Sequence, residues 1–494
     1  MTEPPRRRTG QRGPRPDRRP GARPAGGTSR PVSDPPRRAA YEVLKAVRTA
    51  DAYANLVLPA VVRHYALDPR DAGFATELAS GALRRRGTYD AVLAACVDRP
   101  LTRLDAGVLD ALRLGCHQLL AMRVPVHAAI STTVDLVRDV ANPGAAGLAN
   151  AVLRKVAARS LEEWVPQVAP NAATDPIGHA AVAHSHPAWV VRELRNALGE
   201  RAAEIDDLLA ADNEPPAVTL VARPGRATRE ELPGDPTPYS PYGVVSHGGA
   251  PGAIPAVAEG RAGVQDEGSQ LVALALAAAA PRGPDRTWVD LCAGPGGKAS
   301  LLAALAAERG AGLLAVEHAP HRAGLVARAL GAGATVAATG APGVVGVVAA
   351  DGRRPPLRPG GADRVLVDVP CTGLGALRRR PEARWRRRPE DLIDLGLLQK
   401  ELLGAALDLV RPGGVVLYAT CSPVLMETAG VVQSVLASRP GVVLEDVADV
   451  LPAVPDAAGP LPGTVQLWPH RHGTDAMFMA LLRRPDGPAE GPAD

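Results

Sequence analysis

The sequence predicts an α/β protein, with a doubly wound, mostly parallel sheet domain in the C-terminal half, an all-α domain ahead of it and a small α+β unit between. Three observations carry this. From about Gln265 the order strand, glycine loop, helix recurs to residue 484, with Val/Leu/Ala runs that do not alternate with polar residues, as in strands covered on both faces. From about Arg37 to residue 165 the apolar residues recur at three- and four-residue spacing, as along helix faces. Between them Gly and Pro become dense, and only short apolar runs survive. A chain of 494 residues is long enough for about three cores, at a soft prior of roughly 150 residues each.

Taken in order, residues 1–36 fall almost wholly within a stretch from Pro4 to Arg38 that holds eleven arginines and only two acids, "PPRRRTGQRGPRPDRRPGARPAGGTSRPVSDPPRR". Such a segment has too little apolar surface to fold and is expected to be a disordered tail. It is compatible with a solubilising extension and with a polyanion-attracting arm. Residues 37–165 give "RAAYEVLKAVRTADAYANLVLPAVVRHYAL" and three further helical stretches, opened by Asp, Ser or Thr and separated by Pro or Gly. Residues 166–212 form a helical linker around "HPAWVVRELRNALGERAAEIDDLLAADNEPP". Residues 213–264, with "AVTLVARPG" and "GVVSHGGAPGAIPAVAEGRAGVQ", read as short strands and turns. Residues 265–484 supply the strands "TWVDL", "GLLAVE", "GVVGVVAA", "ADRVLVDV", "GGVVLYAT" and "DAMFMALLRR", and 485–494 a second disordered tail.

Five scattered cysteines, odd in number, argue against a disulfide framework and for a reducing compartment. "LVALALAAAA" is too short to span a bilayer, and no apolar stretch follows the first residues as in a signal peptide. The expectation is a cytoplasmic protein, a monomer, without a membrane partner.

Ligands of doubly wound sheets bind beyond the carboxyl ends of the strands. There the chemistry-bearing residues collect. "DLCAGPGGK", Asp290 to Lys298, follows an apolar strand and opens a helix, so its glycines allow close approach of a ligand to the backbone. A phosphate-binding P-loop would need Gly where Cys292 stands and Ser or Thr where Ala299 stands, and the spacing of a dinucleotide fingerprint is absent. A cofactor without a pyrophosphate remains. The next strand ends in Glu317, placed for the two hydroxyls of a ribose, and the one after in Asp351, of the kind that accepts from an adenine amine. A helix cap or a solvated turn is the ordinary alternative for each acid. Cys421, in "LYATCSP", stands where a buried strand runs out rather than within it, a position that displays reactive groups.

The set "DLCAGPGGK", "VEHAPHR", "AADGR", "LVDVPCTGLGALRRRPEARWR" and "LYATCSP" resembles the S-adenosyl-L-methionine-dependent RNA 5-methylcytosine methyltransferases, and most closely the bacterial small-subunit (16S) rRNA methyltransferase B group, the Fmu or Sun family. The resemblance extends over nearly the whole chain, with "AAISTTVDLVRDV" and "GLANAVLRKV" similar to the NusB-like RNA-binding domain of that group. It implies a Rossmann-like methyltransferase sheet, RNA (small-subunit rRNA) as partner and S-adenosyl-L-methionine as cofactor. The cofactor would be held by Cys292, Ala293, Gly294, Pro295, Gly296, Gly297, Lys298, Glu317, Arg322, Asp351 and Asp368.

Cytosine C5 is a poor nucleophile, and addition of a thiolate at C6 makes it electron-rich. The resemblance assigns Cys421 as that nucleophile, Cys371 of the Pro-Cys motif as the group that assists product release, Asp368 as partner of the ring or the cofactor, and Lys298 as the lysine near the methyl donor. Cys96 and Cys116 fall in helical apolar patterns and read as core. His184/His186 and His470/His472 lack accompanying ligands, so no metal is expected. The basic run "ALRRRPEARWRRRPEDL" reads either as a solvated helix or as a loop that grips phosphates and offers Trp385 to an unpaired base. Four departures from the family pattern stand out: Gly294 for Ala, Glu317 for Asp, Thr428 for Asn after Glu427, and the less aromatic "TDAMFMA". Rival readings are a tRNA substrate, a DNA substrate with Cys371 as nucleophile, and a non-catalytic RNA-binding factor of NusB type.

Overall fold

A computed structural model describes residues 33–141, 143–331, 343–451 and 454–486. The expected N-terminal tail lies outside the described residues up to position 32, as does the C-terminal tail from 487. The Ser33 hydroxyl donates to Asp139 (2.9 Å), and the first helix starts at Pro35 rather than Arg37.

The N-terminal domain is helical throughout: α1 (Pro35–Thr49), α2 (Ala54–His64), α3 (Pro69–Arg84), α4 (Arg86–Cys96), α5 (Ala106–Leu120), α6 (Val126–Val140), α7 (Pro143–Val156) and α8 (Leu161–Val168). Asp68, Asp105 and Ser160 cap α3, α5 and α8 by accepting from backbone N–H groups of the first turn, Ser160 in a capping box with Glu163. The apolar faces close on one core that includes Leu78, Tyr89, Leu112 and Leu153, and Cys96 and Cys116 are buried in it as expected.

The linker forms α9 (Pro176–Ala183), α10 (Ala188–Leu198) and α11 (Ile205–Ala211). These pack on Leu374, Leu377 and Trp468 of the sheet domain, so the linker is built into that domain rather than a tether. The next unit is a four-stranded antiparallel sheet, β1 (Thr219–Ala222), β2 (Gly234–Pro236), β3 (Gly243–Ser246) and β4 (Ala262–Val264), in the order β2-β3-β1-β4, with the short α12 (Pro255–Ala258) before β4.

In the sheet domain α13 (Glu267–Ala278) leads into β5 (Thr287–Asp290), α14 (Gly297–Glu308), β6 (Gly312–Glu317), α15 (Pro320–Ala329), β7 (Val344–Ala349) and β8 (Ala362–Asp368). After the one-turn α16 (Ala383–Arg386) come α17 (Asp391–Leu409), β9 (Val410–Thr420), α18 (Ala429–Ser438), β10 (Val443–Glu445), β11 (Val465–Gln466), α19 (Pro469–His472) and β12 (Phe478–Arg483). The strand order is β10-β12-β9-β8-β5-β6-β7, with β11 paired to β12. Neighbours from β9 to β7 are parallel, whereas β12 runs antiparallel to β9 and β10 to β12. The sheet is therefore mixed. A parallel partner for β9 would need another crossover helix, but the stretch before β12 holds only short elements and returns directly.

One face of the sheet is covered by α13, α14 and α15, packed on Trp288, Leu313 and Leu417, and the other by α17 and α18, packed on Val365, Tyr418 and Phe478. Both faces are dry, which accounts for the unalternating apolar runs in β5, β8 and β9. The chain turns from β5 to β6 on one side and places β8 on the other, so the switch point lies between β5 and β8. No helix among the described residues is long and apolar enough to cross a membrane.

Candidate active site

At the carboxyl ends of β5, β6, β8 and β9 a cleft of about 1090 Å³ opens. Cys292, Ala293, Gly294, Pro295, Gly297, Lys298, Glu317, Arg322, Asp351, Asp368, Cys371 and Cys421 all line it, so nearly every residue anticipated from the sequence meets at one place. Gly296 is the exception. It lies buried beneath the loop as the N-cap of α14 at φ 115°, in left-handed space, and a β-carbon there would stand 2.7 Å from that of Ala329. Its role is to turn the chain.

The floor of the cofactor side is made by Glu317, 4% exposed at the end of β6. Its carboxylate accepts from the N–H groups of Gly294 (3.0 Å) and Ala319 (3.0 Å). Arg322 donates to the Gly294 carbonyl at 2.9 Å and so braces the loop from outside. A β-carbon at Gly294 would collide with the Glu317 carboxylate. The Glu317 carboxylate thus occupies the volume that a side chain at position 294 would need. Asp351 is gripped by Arg353 (2.7 Å), which holds its carboxyl down at about 2. The Cys292 thiol is pushed well above its ordinary range by burial, so the residue serves through its backbone N–H, which donates to Asp290 (3.3 Å). Asp290 itself is raised to about 7 by burial and then by the neighbouring Asp368.

On the substrate side Lys298 donates to Asp368 at 2.8 Å and to Ser269 at 3.3 Å. Burial works against its charge, but the Asp368 carboxylate overcomes this and raises it above the ordinary lysine range. Cys371 and Cys421 face each other at 3.4 Å between sulfurs. Cys421 is lowered by the hydrogen bond from the Cys371 thiol, with help from the charges of Lys298 and Arg380, whereas Cys371 is raised by the same contact and by burial. The Pro-Cys loop is held by Glu427, fully buried, which accepts from the Thr372 N–H (2.8 Å) and from Gln399 (3.0 Å). Its place in a motif was visible in the sequence, its supporting role was not.

The structure separates the members of the basic run 378–388. Trp385 is no platform for a base. Its ring packs against Gly87 of the helical domain beneath Arg86, 5.6 Å from the guanidinium carbon. Arg384 is wholly buried and donates to Ser185 O (3.0 Å), Asp212 O (3.2 Å) and Asn213 Oδ1 (2.9 Å), tying the linker to the catalytic body. Gln265, overlooked in the sequence, lines the cleft with both polar side-chain atoms buried and without a hydrogen-bond partner.

The residues present fit S-adenosylmethionine: a glycine loop crowded at positions 294 and 296, a buried carboxylate at a strand end and an orphaned amide suit a nucleoside with hydroxyls. Comparison with known proteins agrees. A family model described as 16S rRNA methyltransferase RsmB/F matches residues 277–483, and a NusB family model matches 34–158. A Mycobacterium tuberculosis protein named as a methyltransferase is 52% identical over 462 residues, covering 93% of this chain and 98% of its own. Ribosomal RNA small subunit methyltransferase B of Pseudomonas putida is 32% identical over 460 residues, 90% of this chain and 98% of that one. The crystal structure of PH0851 superposes with a TM-score of 0.73 at 23% identity, over 92% of this chain and all of the other, and shows the same fold. With a NusB-like helical domain, a methyltransferase sheet and relatives matched nearly end to end, the chain belongs to the RsmB/F family and is an S-adenosylmethionine-dependent RNA methyltransferase.

Proposed function

We propose that this protein methylates C5 of a cytosine in small-subunit ribosomal RNA, with Cys421 as the nucleophile and Cys371 as the group that assists its release. The observation that carries the reading is the paired thiols at the ends of adjacent strands, 3.4 Å apart, of which only Cys421 is shifted toward the thiolate. Cys421 Sγ adds to C6 and pushes electron density to C5. S-adenosylmethionine supplies the electrophilic methyl group. Once C5 has lost its proton to a base, the ring regains aromaticity by expelling the Cys421 sulfur. Cys371 keeps its proton and donates it as a hydrogen bond to the departing thiolate. Asp368, fixed by Lys298, faces the same space and is the acid placed to hold the cytosine ring. Glu317 and Asp351 hold the nucleoside of the cofactor, and Arg322 stiffens the glycine loop. A target in a stem must be extruded before C6 can meet the thiol.

The test is bisulfite sequencing of ribosomal RNA from cells lacking the gene, complemented with wild type or Cys421→Ala. One 5-methylcytosine in small-subunit rRNA should vanish and return with wild type alone. In vitro, the same variant should lose activity by roughly 10⁴-fold or more, as other enzymes do without their nucleophile. Methylation that persists with alanine at 421, or a product found in tRNA only, overturns the corresponding part of the proposal.

A further inference from the structure

The arginines of segment 378–388 differ in what neutralises them. Arg378 and Arg379 are paired with Asp266 (2.9 and 2.6 Å) and Asp475 (2.8 and 3.1 Å). Arg386 is paired with Asp51 (2.9 Å), and Arg387 donates to the carbonyls of Thr372 (3.2 Å) and Cys371 (3.3 Å). Arg380 is exposed, lines the cleft and has no carboxylate partner among the described residues. What it has is the ring of Tyr53, 5.0 Å from its guanidinium carbon.

Tyr53 belongs to the helical domain, as the N-cap of α2, more than three hundred positions away in the chain. Its ring is shared with Arg386, at 4.9 Å, and the turn that carries it is pinned to the catalytic body by the Ala54 N–H donating to Glu382 (3.1 Å) and by Arg386 on the Ala52 carbonyl. Asp51, Tyr53 and Asn55 consequently form part of the cleft wall. A guanidinium stacked on an aromatic ring is fixed in direction at little further entropic cost, and one without a counter-charge in a cleft attracts an anion. The anion must be one that arrives with the substrate. Proximity to Cys421 fits, since Arg380 contributes to lowering that thiol.

We propose that Arg380, propped on the Tyr53 ring, binds the backbone phosphate of the RNA nucleotide that enters the cleft, so that the helical domain positions the substrate at the catalytic thiol itself. The proposal rests on RNA as substrate, not on which cytosine is modified. Tyr53 acts through Arg380 and is a positioning residue.

The test measures equilibrium binding of a small-subunit rRNA transcript against salt, without donor, and then steady-state methyl transfer. Arg380→Ala should weaken RNA binding by about tenfold or more, the equivalent of one charge-assisted contact. It should also flatten the plot of log affinity against log salt by about 0.7, one phosphate on a single strand. KM for RNA should rise and KM for the donor should not. Arg380→Lys should keep the salt slope, and Tyr53→Phe should behave as wild type because the ring is retained. Tyr53→Ala should weaken binding in the wild-type background and add nothing in the Arg380→Ala background. Arg192→Ala, an exposed arginine on α10, controls for loss of one charge and should leave the slope unchanged. The proposal is overturned if Arg380→Ala keeps both affinity and slope, or if Tyr53→Ala weakens binding equally in both backgrounds. Because binding is read without chemistry, these outcomes are independent of whether Cys421→Ala abolishes methylation.

Discussion

Two thiols of the same kind, in contact, are made unequal by their neighbours, and that inequality has a measurable consequence. With Cys421 as the proposed nucleophile, reactive as its thiolate, kcat/KM for RNA should fall tenfold per pH unit below the titration of Cys421, and the plateau should begin below the ordinary thiol range. Cys371→Ala removes the hydrogen bond that lowers Cys421, so the pH–rate limb should move upward. The same variant loses the donor that eases expulsion of the sulfur, and should accumulate a covalent protein–RNA species on denaturing gels. A wild-type pH profile for Cys371→Ala would contradict this account. A second residue-scale prediction concerns Gly294 and Glu317. Gly294→Ala drives a β-carbon into the Glu317 carboxylate and should weaken donor binding about tenfold or more in calorimetry. Glu317→Asp in that background should restore much of it. Residues that share one volume couple, typically by about 0.5–3 kcal/mol, whereas two independent losses would simply add.

Elements were legible where a single face or a single turn decided them. The apolar runs ending in Asp290, Glu317, Asp368 and Thr420 gave away β5, β6, β8 and β9, because strands buried on both faces have no polar alternation to hide them. Since side chains at strand ends open into the cleft, most of the candidate site was readable as well. The antiparallel edge was not, because β10 and β12 look alike in composition whichever way they run. The basic run stayed undivided in the sequence for a related reason: which arginines are neutralised depends on Asp266, Asp475 and Asp51, residues about 100 to 330 positions away, and sequence proximity says nothing about them. The glycine loop supplies the prediction at this scale. Gly296→Ala meets both a left-handed φ of 115° and the Ala329 side chain. It should destabilise by about 1–2 kcal/mol from the backbone alone, seen as a lower thermal midpoint, and weaken donor binding by tilting the start of α14.

The whole molecule is joined by a buried polar knot that no local reading could have found. Arg384 reaches residues of the linker and helical domain, and its guanidinium lies near the fully buried Asp212, whose carboxylate oxygens lack hydrogen-bond partners and which is raised to about 7 by burial. A carboxyl raised in the folded state is favoured when protonated. Its contribution is fully present below the unfolded value of about 3.9 and is lost as pH rises toward 7. Asp212→Asn, which removes that titration, should therefore raise the melting temperature at pH 8 and do little at pH 4. Arg384→Ala leaves several buried carbonyls and a carboxylate without their cation, and should destabilise by about 3–5 kcal/mol at neutral pH.

The placement of β12 has a consequence for synthesis. The strand that aims Cys421 is sealed on one edge by β8 and on the other by Phe478–Arg483, which pair with Val415–Thr420. A ribosome adds those residues after every other described strand of that sheet. Until they emerge, β9 carries a bare, apolar edge able to recruit foreign chains, and Cys421 has no rigid mount. Catalytic competence thus arrives late in translation, and a polypeptide cut just before Phe478 should be found in inclusion bodies rather than as a slower enzyme.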